Sequence, residues 1–393
     1  MSFPEPSLPD LPAVPPHQPE TPTRPILLKT DVENPPWSGI DLLTIILVLV
    51  VALFFFSLFF GLLVQHAGHK SVSAPELSKT VSPQVIVPIM TFSYLVMLGA
   101  MYVVVRRYHR PFWRTAGWNW PEPKAWIGWL ALGAILSIGL GLLSRLLPIP
   151  KSLPMDQYFR DAQGAYLMAL FGITVAPLAE EMLFRGFLYP VLDRWLQTLF
   201  AIRQQVQTIG GWIVVLGAWG YVEHKLPLFW SSLLAVAALV GITAWLFVRG
   251  LTLSNASNPF SFLPGFSFFV WGLTARALTD DATVIAAGIL VGFGLLLTLV
   301  GLAGNSAAGQ GLGRVLAIAI TAAAFAMVHS EQLGRAWAPL LVLFVVGLVL
   351  TITRAVTRSV APGFLIHVAY NLTLFILLYS LTDRFRHLER MTE

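Results

Sequence analysis

The segment YLMALFGITVAPLAEEMLFRGFL, residues 166–188, decides how the chain is read. It is apolar over more than the ~18 residues a helix needs to cross a bilayer, yet Glu180, Glu181 and Arg185 lie inside it. A charge at the bilayer centre costs at least a few kcal/mol, so these residues face protein or a wet cavity and mark a function by default. In lipid every backbone polar group needs an internal partner, so the segment is a helix.

The rest of the chain repeats the pattern. Of its 393 residues, 56% are hydrophobic and 11% charged, and the mean hydropathy is +0.72. Soluble domains carry roughly 25% charged residues, so this chain cannot present a water-facing surface throughout. Apolar segments at 40–64, 85–105 and 126–143 precede the quoted one. Two more follow near 229–248 and 283–303, and a C-terminal set lies between 315 and 379, its members at 315–329, 339–352 and 360–379. The expected fold is all-α, a polytopic transmembrane helix bundle of about eight spans. The shorter apolar stretch at 211–222 is too short to span and is expected to lie in the interface or re-enter.

Residues 1–37 are rich in proline, including Pro4, Pro6, Pro9, Pro12, Pro15 and Pro16, with no periodic apolar face. They are expected to form a disordered, polyproline-like tail. The start has no basic n-region, so the first apolar helix is expected to serve as its own insertion signal. Four units result: the tail 1–37, N-terminal helices 38–194, an inserted region 195–312, and C-terminal helices with a basic tail 313–393. Arg106, Arg107, Arg110, Arg114 and Lys124 form the densest basic loop, which by the positive-inside rule is cytoplasmic together with the N-terminus. Trp113, Trp118, Trp120 and Trp126 suit an interfacial belt. The net charge of +5 follows from such loops rather than from nucleic-acid binding. Cysteine is absent, which excludes disulfides and thiolate metal sites.

Within 166–188 the spacing separates two roles. Residues four apart share a helix face, so Glu181 can pair with Arg185. Glu180 points about 100° away and is left free. Adjacent carboxylates resist ionising together, and a carboxylate poised to exchange a proton is what general-base chemistry needs. Pro177 cannot donate to the carbonyl of Ile173, so the helix is expected to bend just before the carboxylates.

Two other apolar segments carry polar side chains at helical spacing. Phe325 and His329 form one pair, His367 and Asn371 the other. Singly, each has a packing reading: a satisfied histidine, an interhelical salt bridge, an asparagine acting as helix glue. Together they supply a base, a charge partner, two imidazoles and an amide, which is a hydrolytic inventory. His-Glu-x-x-His, a rhomboid-type Gly-x-Ser-Gly, Gly-x-Gly-Asp and a P-loop are all missing. A proton-coupled transporter is the competing reading, and the lack of an internal repeat counts against it. A non-proteolytic scaffold or immunity protein is the third.

Glu180-Glu181-x-x-x-Arg185, Phe325-x-x-x-His329 and His367-x-x-x-Asn371 resemble the three-motif signature of the CAAX-protease and bacteriocin-processing family, the type II CAAX prenyl endopeptidases and their prokaryotic relatives. The flanks Phe184-Arg185-Gly186-Phe187-Leu188 and Ala361-Pro362-Gly363-Phe364-Leu365-Ile366-His367 are similar too. The likeness covers residues 165–190 and 314–380. It does not extend to the tail or to 195–312, where the family has one short connection. The resemblance implies an intramembrane glutamic endopeptidase of a bacterial cytoplasmic membrane, acting on a peptide or lipidated-protein substrate. It implies that Glu180 activates water with His329 as helper, that His367 and Asn371 stabilise the oxyanion, and that Glu181 and Arg185 hold the site in shape. No cofactor is expected. The alternative is zinc held by Glu180, His329 and His367 with one open position. Basic loops after the second and fourth spans suggest a site opening to the cytoplasm.

Overall fold

A computed structural model of the chain describes residues 34–68, 82–150, 152–159, 161–201, 203–226, 280–303 and 306–385. Every regular element among the described residues is helical. The helices are α1 (Gly39–Gly68), α2 (Pro83–Arg107), α3 (Pro123–Ser144), α4 (the continuous helical segment Ala162–Phe200), α5 (Arg203–Lys225), α6 (Asp280–Ala303), α7 (Ser306–Met327), α8 (Trp337–Thr357) and α9 (Val360–Leu381). Seven of them, α1–α4 and α7–α9, are long and apolar enough to cross a membrane. Phe54, Leu47 and Leu43 on α1 are exposed, as a lipid-facing surface requires. The chain is an integral membrane protein. The expected tail and the expected span at 229–248 lie outside the described residues, the tail but for its last four residues. The segment 283–303 is helical within α6. The stretch at 211–222 belongs to the longer helix α5, which packs along α6 and whose apolar part, Ile209–Val222, remains short.

Two expected ends moved. The fourth span continues past Leu188 to Phe200. Its last part, Tyr189–Phe200, mixes Asp193, Arg194 and Gln197 with apolar residues, so hydropathy falls while the helix goes on. Asp193 and Gln197 are nevertheless buried there, and Asp193 meets Arg314 of α7 at 3.4 Å. His329 does not end a span. α7 stops at Met327 and His329 sits in the turn that follows.

The bundle has two chemically distinct ends. At one, the Tyr108 hydroxyl donates to Asp41 at 2.9 Å, the Val360 amide donates to the Gly117 carbonyl, and Arg354 lies against Gly117. Arg106, Arg107, Arg110, Arg114, Arg354 and Arg358 gather at this basic end. The left-handed backbone of Arg358 (φ 56°) turns α8 into α9 there. At the opposite end the Met155 amide donates to the Gln332 carbonyl, and Phe385 packs against Tyr166 and Tyr379. α3 and α9 touch at Gly133, where any side chain would strike the Ile366 carbonyl.

Candidate active site

α4 carries the carboxylates and is irregular on both sides of them. The first irregularity is at Thr174, between Ala162–Ile173 and Val175–Glu181. Pro177 has no N–H for the Ile173 carbonyl, and the helix breaks there, as its position requires. Side chains bond the carbonyls beside the break: Leu170 O accepts from the Thr174 hydroxyl at 2.6 Å as well as from the Thr174 amide at 3.1 Å, and Gly172 O accepts from the Asn371 side-chain amide at 2.6 Å. The second irregularity is a π-helical stretch, Met182–Leu188, in which the Tyr189 amide reaches back to Phe184 O. π-Helical turns concentrate at functional sites. In that register the next carbonyl, Arg185 O, faces Pro190, which has no N–H. Arg354 Nε of α8 donates to it instead, at 3.1 Å.

Glu181 and Arg185 have no exposed side-chain surface and pair at 2.9 Å. The guanidinium also donates to Gly347 O at 3.2 Å and to the Thr351 hydroxyl at 3.3 Å, and lies 4.6 Å from the Phe325 ring centroid. The same Glu181 oxygen accepts from His367 Nδ1 at 2.9 Å. Its other oxygen faces Gly363, where a Cβ would approach to 3.0 Å. Glycine is what lets α9 come this close.

Glu180 points elsewhere. Its carboxylate lines a cavity of about 540 Å³ and keeps 12% of its side-chain surface open. His329 Nε2 is 3.9 Å from one oxygen and His367 Nε2 is 3.8 Å from the other. Both gaps are too long for direct hydrogen bonds and suit a bridging water. The far ring nitrogens are committed: His329 Nδ1 donates to Phe325 O at 2.8 Å, and His367 Nδ1 to Glu181. Both imidazoles therefore turn Nε2 towards Glu180. Phe325 holds them, with ring centroids 5.1 Å from His329 and 5.7 Å from His367.

All six residues expected from the sequence thus meet at one place. Asn371 lines the cavity while its amide caps Gly172 O. Sequence reasoning missed Arg354, which reads as an ordinary basic residue at a cytoplasmic helix end, although Pro190 signals a carbonyl in need of a donor. It also missed Trp37. The indole of Trp37 stacks on Phe187 at 4.3 Å and donates to Phe187 O at 3.3 Å, and Arg194 grips Pro35 O and Trp37 O.

Glu180, His329 and His367 do not fit a zinc ion as placed. Two ligands of a tetrahedral ion bound at 2.0–2.1 Å stand about 3.3–3.4 Å apart, and the Nε2–carboxylate separations here are 3.8 and 3.9 Å. Among the described residues no group of three or more His, Asp or Glu is arranged to hold a metal.

No curated protein and no solved structure matches the chain. Residues 294–373, which hold the second and third motifs, match a family model described as type II CAAX prenyl endopeptidase Rce1-like. The first motif lies outside that match, and it is the fold that brings Glu180 and Glu181 against His329 and His367. Residues 294–373 are thus similar to the type II CAAX prenyl endopeptidase Rce1-like family.

Proposed function

We propose that the protein is an intramembrane endopeptidase in which Glu180 activates water. The observation that carries this reading is the convergence of Glu180, His329 and His367, from three separate parts of the chain, on a cavity inside the bundle. A water between the Glu180 carboxylate and the two Nε2 atoms is held in place for attack. Glu180 takes a proton from the water as its oxygen adds to the peptide carbonyl carbon, and negative charge moves to the carbonyl oxygen. His367, as an imidazolium donating from both ring nitrogens, and the second N–H of the Asn371 amide stabilise that oxyanion. Such a donor contributes about 3–4 kcal/mol. As the intermediate collapses the C–N bond breaks, and the proton on Glu180 passes to the leaving amine. His329 orients the water. Glu181, locked by Arg185, holds the angle of the His367 ring. The reaction so written needs no metal.

The test compares peptide termini by mass spectrometry in membranes holding matched amounts of wild type and Glu180→Gln. New termini confined to the wild type support proteolysis and name the substrates. Identical termini from two equally folded proteins overturn it.

A further inference from the structure

One wall of the cavity is left idle by the reaction above. Met90, Tyr94 and Met97 lie on one face of α2 and line the cavity beside Glu180 and Asn371. α2 runs along α4 in the same direction. A side chain on Gly164 would strike Pro83, Tyr94 stacks on Phe171 with ring centroids 6.0 Å apart, and Met97 packs in the same buried cluster as Ala179. From α9, the Asn371 amide donates to Gly172 O at 2.6 Å. Tyr94 and Asn371 thus meet α4 at neighbouring residues, Phe171 and Gly172, from two different helices.

Packing gives the Tyr94 hydroxyl nothing to do. No group among the described residues hydrogen-bonds it, and Leu49, Leu53, Met90 and Met97 make the lining on its side apolar. A phenylalanine would keep the stack on Phe171 without bringing a polar atom into such a place. What the phenol does meet is charge, since it lies within electrostatic range of the Glu180 carboxylate. The register of the two helices sets the scale of the gap. Eleven residues separate Pro83 from Tyr94, and eleven carry α4 from Gly164 to Val175, five short of Glu180. At about 1.5 Å per residue, Tyr94 and Glu180 stand roughly 7 Å apart along the helices. Both side chains lean towards their N-termini, so the gap stays open. It is too wide for a direct hydrogen bond and admits a peptide unit between phenol and carboxylate.

We propose, resting on the hydrolytic reading above, that Tyr94 is a further catalytic residue: its hydroxyl, together with the second N–H of the Asn371 amide, donates to the carbonyl oxygen of the scissile peptide as negative charge develops there. The water on Glu180 adds to the carbonyl carbon from one side of the gap, while the oxygen lies against Tyr94 and Asn371 on the other. The phenol keeps its proton throughout, and the proton transfers run through Glu180 alone. The hydrogen bond strengthens only as the reaction proceeds. Before attack the negative charge sits on Glu180, across the gap from the hydroxyl. After attack it sits on the oxygen that the hydroxyl touches. A donor of this kind acts on the transition state more than on the bound substrate. Its removal therefore lowers kcat and leaves KM little changed.

The test uses the full chain and a synthetic peptide spanning a cleavage site mapped from the Glu180-dependent termini. Tyr94→Phe is compared with wild type and with Tyr370→Phe. The latter removes a hydroxyl from the same cavity, where the ring is packed in a cluster with Leu140, Leu350 and Ile366. Far-UV circular dichroism checks that all three are equally folded. Tyr94→Phe is expected to lower kcat about a hundredfold with KM little changed, and Tyr370→Phe to stay close to the wild-type rate. Placing 3-fluorotyrosine at 94, which returns a hydroxyl, is expected to restore the rate lost in Tyr94→Phe. Full kcat in Tyr94→Phe overturns the role of Tyr94 and leaves the hydrolytic reading standing. Equal losses in the two phenylalanine variants, or no rescue by 3-fluorotyrosine, do the same. A wild type that yields no Glu180-dependent termini overturns the hydrolytic reading itself, and the role of Tyr94 falls with it.

Discussion

Replacing Arg185 by Met and Glu181 by Gln, singly and together, asks how the buried pair holds the site. Neither side chain has exposed surface, and their 2.9 Å contact lies in an apolar bundle. Methionine fills much of the arginine's volume but strands the Glu181 carboxylate, with His367 as its remaining hydrogen-bond partner. Removing one member of a buried pair costs about 3–5 kcal/mol. Glutamine at 181 keeps an acceptor for His367 but leaves Arg185 with Gly347 O and Thr351, a loss of about 2–3 kcal/mol for a charge-assisted bond. The double variant buries no charge at this place. It forfeits the bonds from Arg185 to Gly347 and Thr351, together roughly 2 kcal/mol. The double should therefore fall short of the sum of the singles by at least about 2 kcal/mol, well beyond the ~0.5 kcal/mol scatter of independent sites. The assay is unfolding in mixed micelles with rising SDS, followed by tryptophan fluorescence and far-UV circular dichroism. Additive singles would refute the reasoning, because the pair would then be no more than two separate packing residues. Cleavage should remain low even where the double recovers stability, since His367 loses its carboxylate anchor.

Incubation with a zinc chelator should leave Glu180-dependent cleavage unchanged, and complete loss restored by added zinc would overturn the metal-free reaction. Asn371→Ala strips the donor from Gly172 O at the helix break. Stability should fall by about 1–2 kcal/mol, while cleavage should fall about 10²–10³-fold if the amide also serves the oxyanion. A rate loss under tenfold, measured on protein shown to be folded, would reduce Asn371 to a cap.

Local regularity decided what the sequence disclosed. The Glu181–Arg185 pair depends only on the four-residue repeat of a helix, and the break at Thr174 only on a proline without an N–H. Both were legible. The His367–Glu181 bond joins α9 to α4, and no spacing within either helix announces it. The π-helical stretch was hidden for a related reason: its odd carbonyl at Arg185 is satisfied by Arg354 of α8. The end of α4 was read short because burial of Asp193 and Gln197 against other helices is invisible to hydropathy. The place of Tyr94 needed the fold, since nothing within α2 announces that it faces α4.

The π-helical stretch also bears on the order in which the protein comes together. Its Phe187 carbonyl is held by Trp37, ahead of the first span, and its Arg185 carbonyl by Arg354, near the end of the eighth described helix. A chain emerging from the ribosome makes the first of these contacts once α4 is complete. It must wait for the second through all of 201–353. During that interval the first four spans stand in the bilayer with α4 only half braced, and with Glu181 lacking His367. A nascent chain in that state has both carboxylates without their histidine neighbours, so the candidate site is complete only when the C-terminal helices dock.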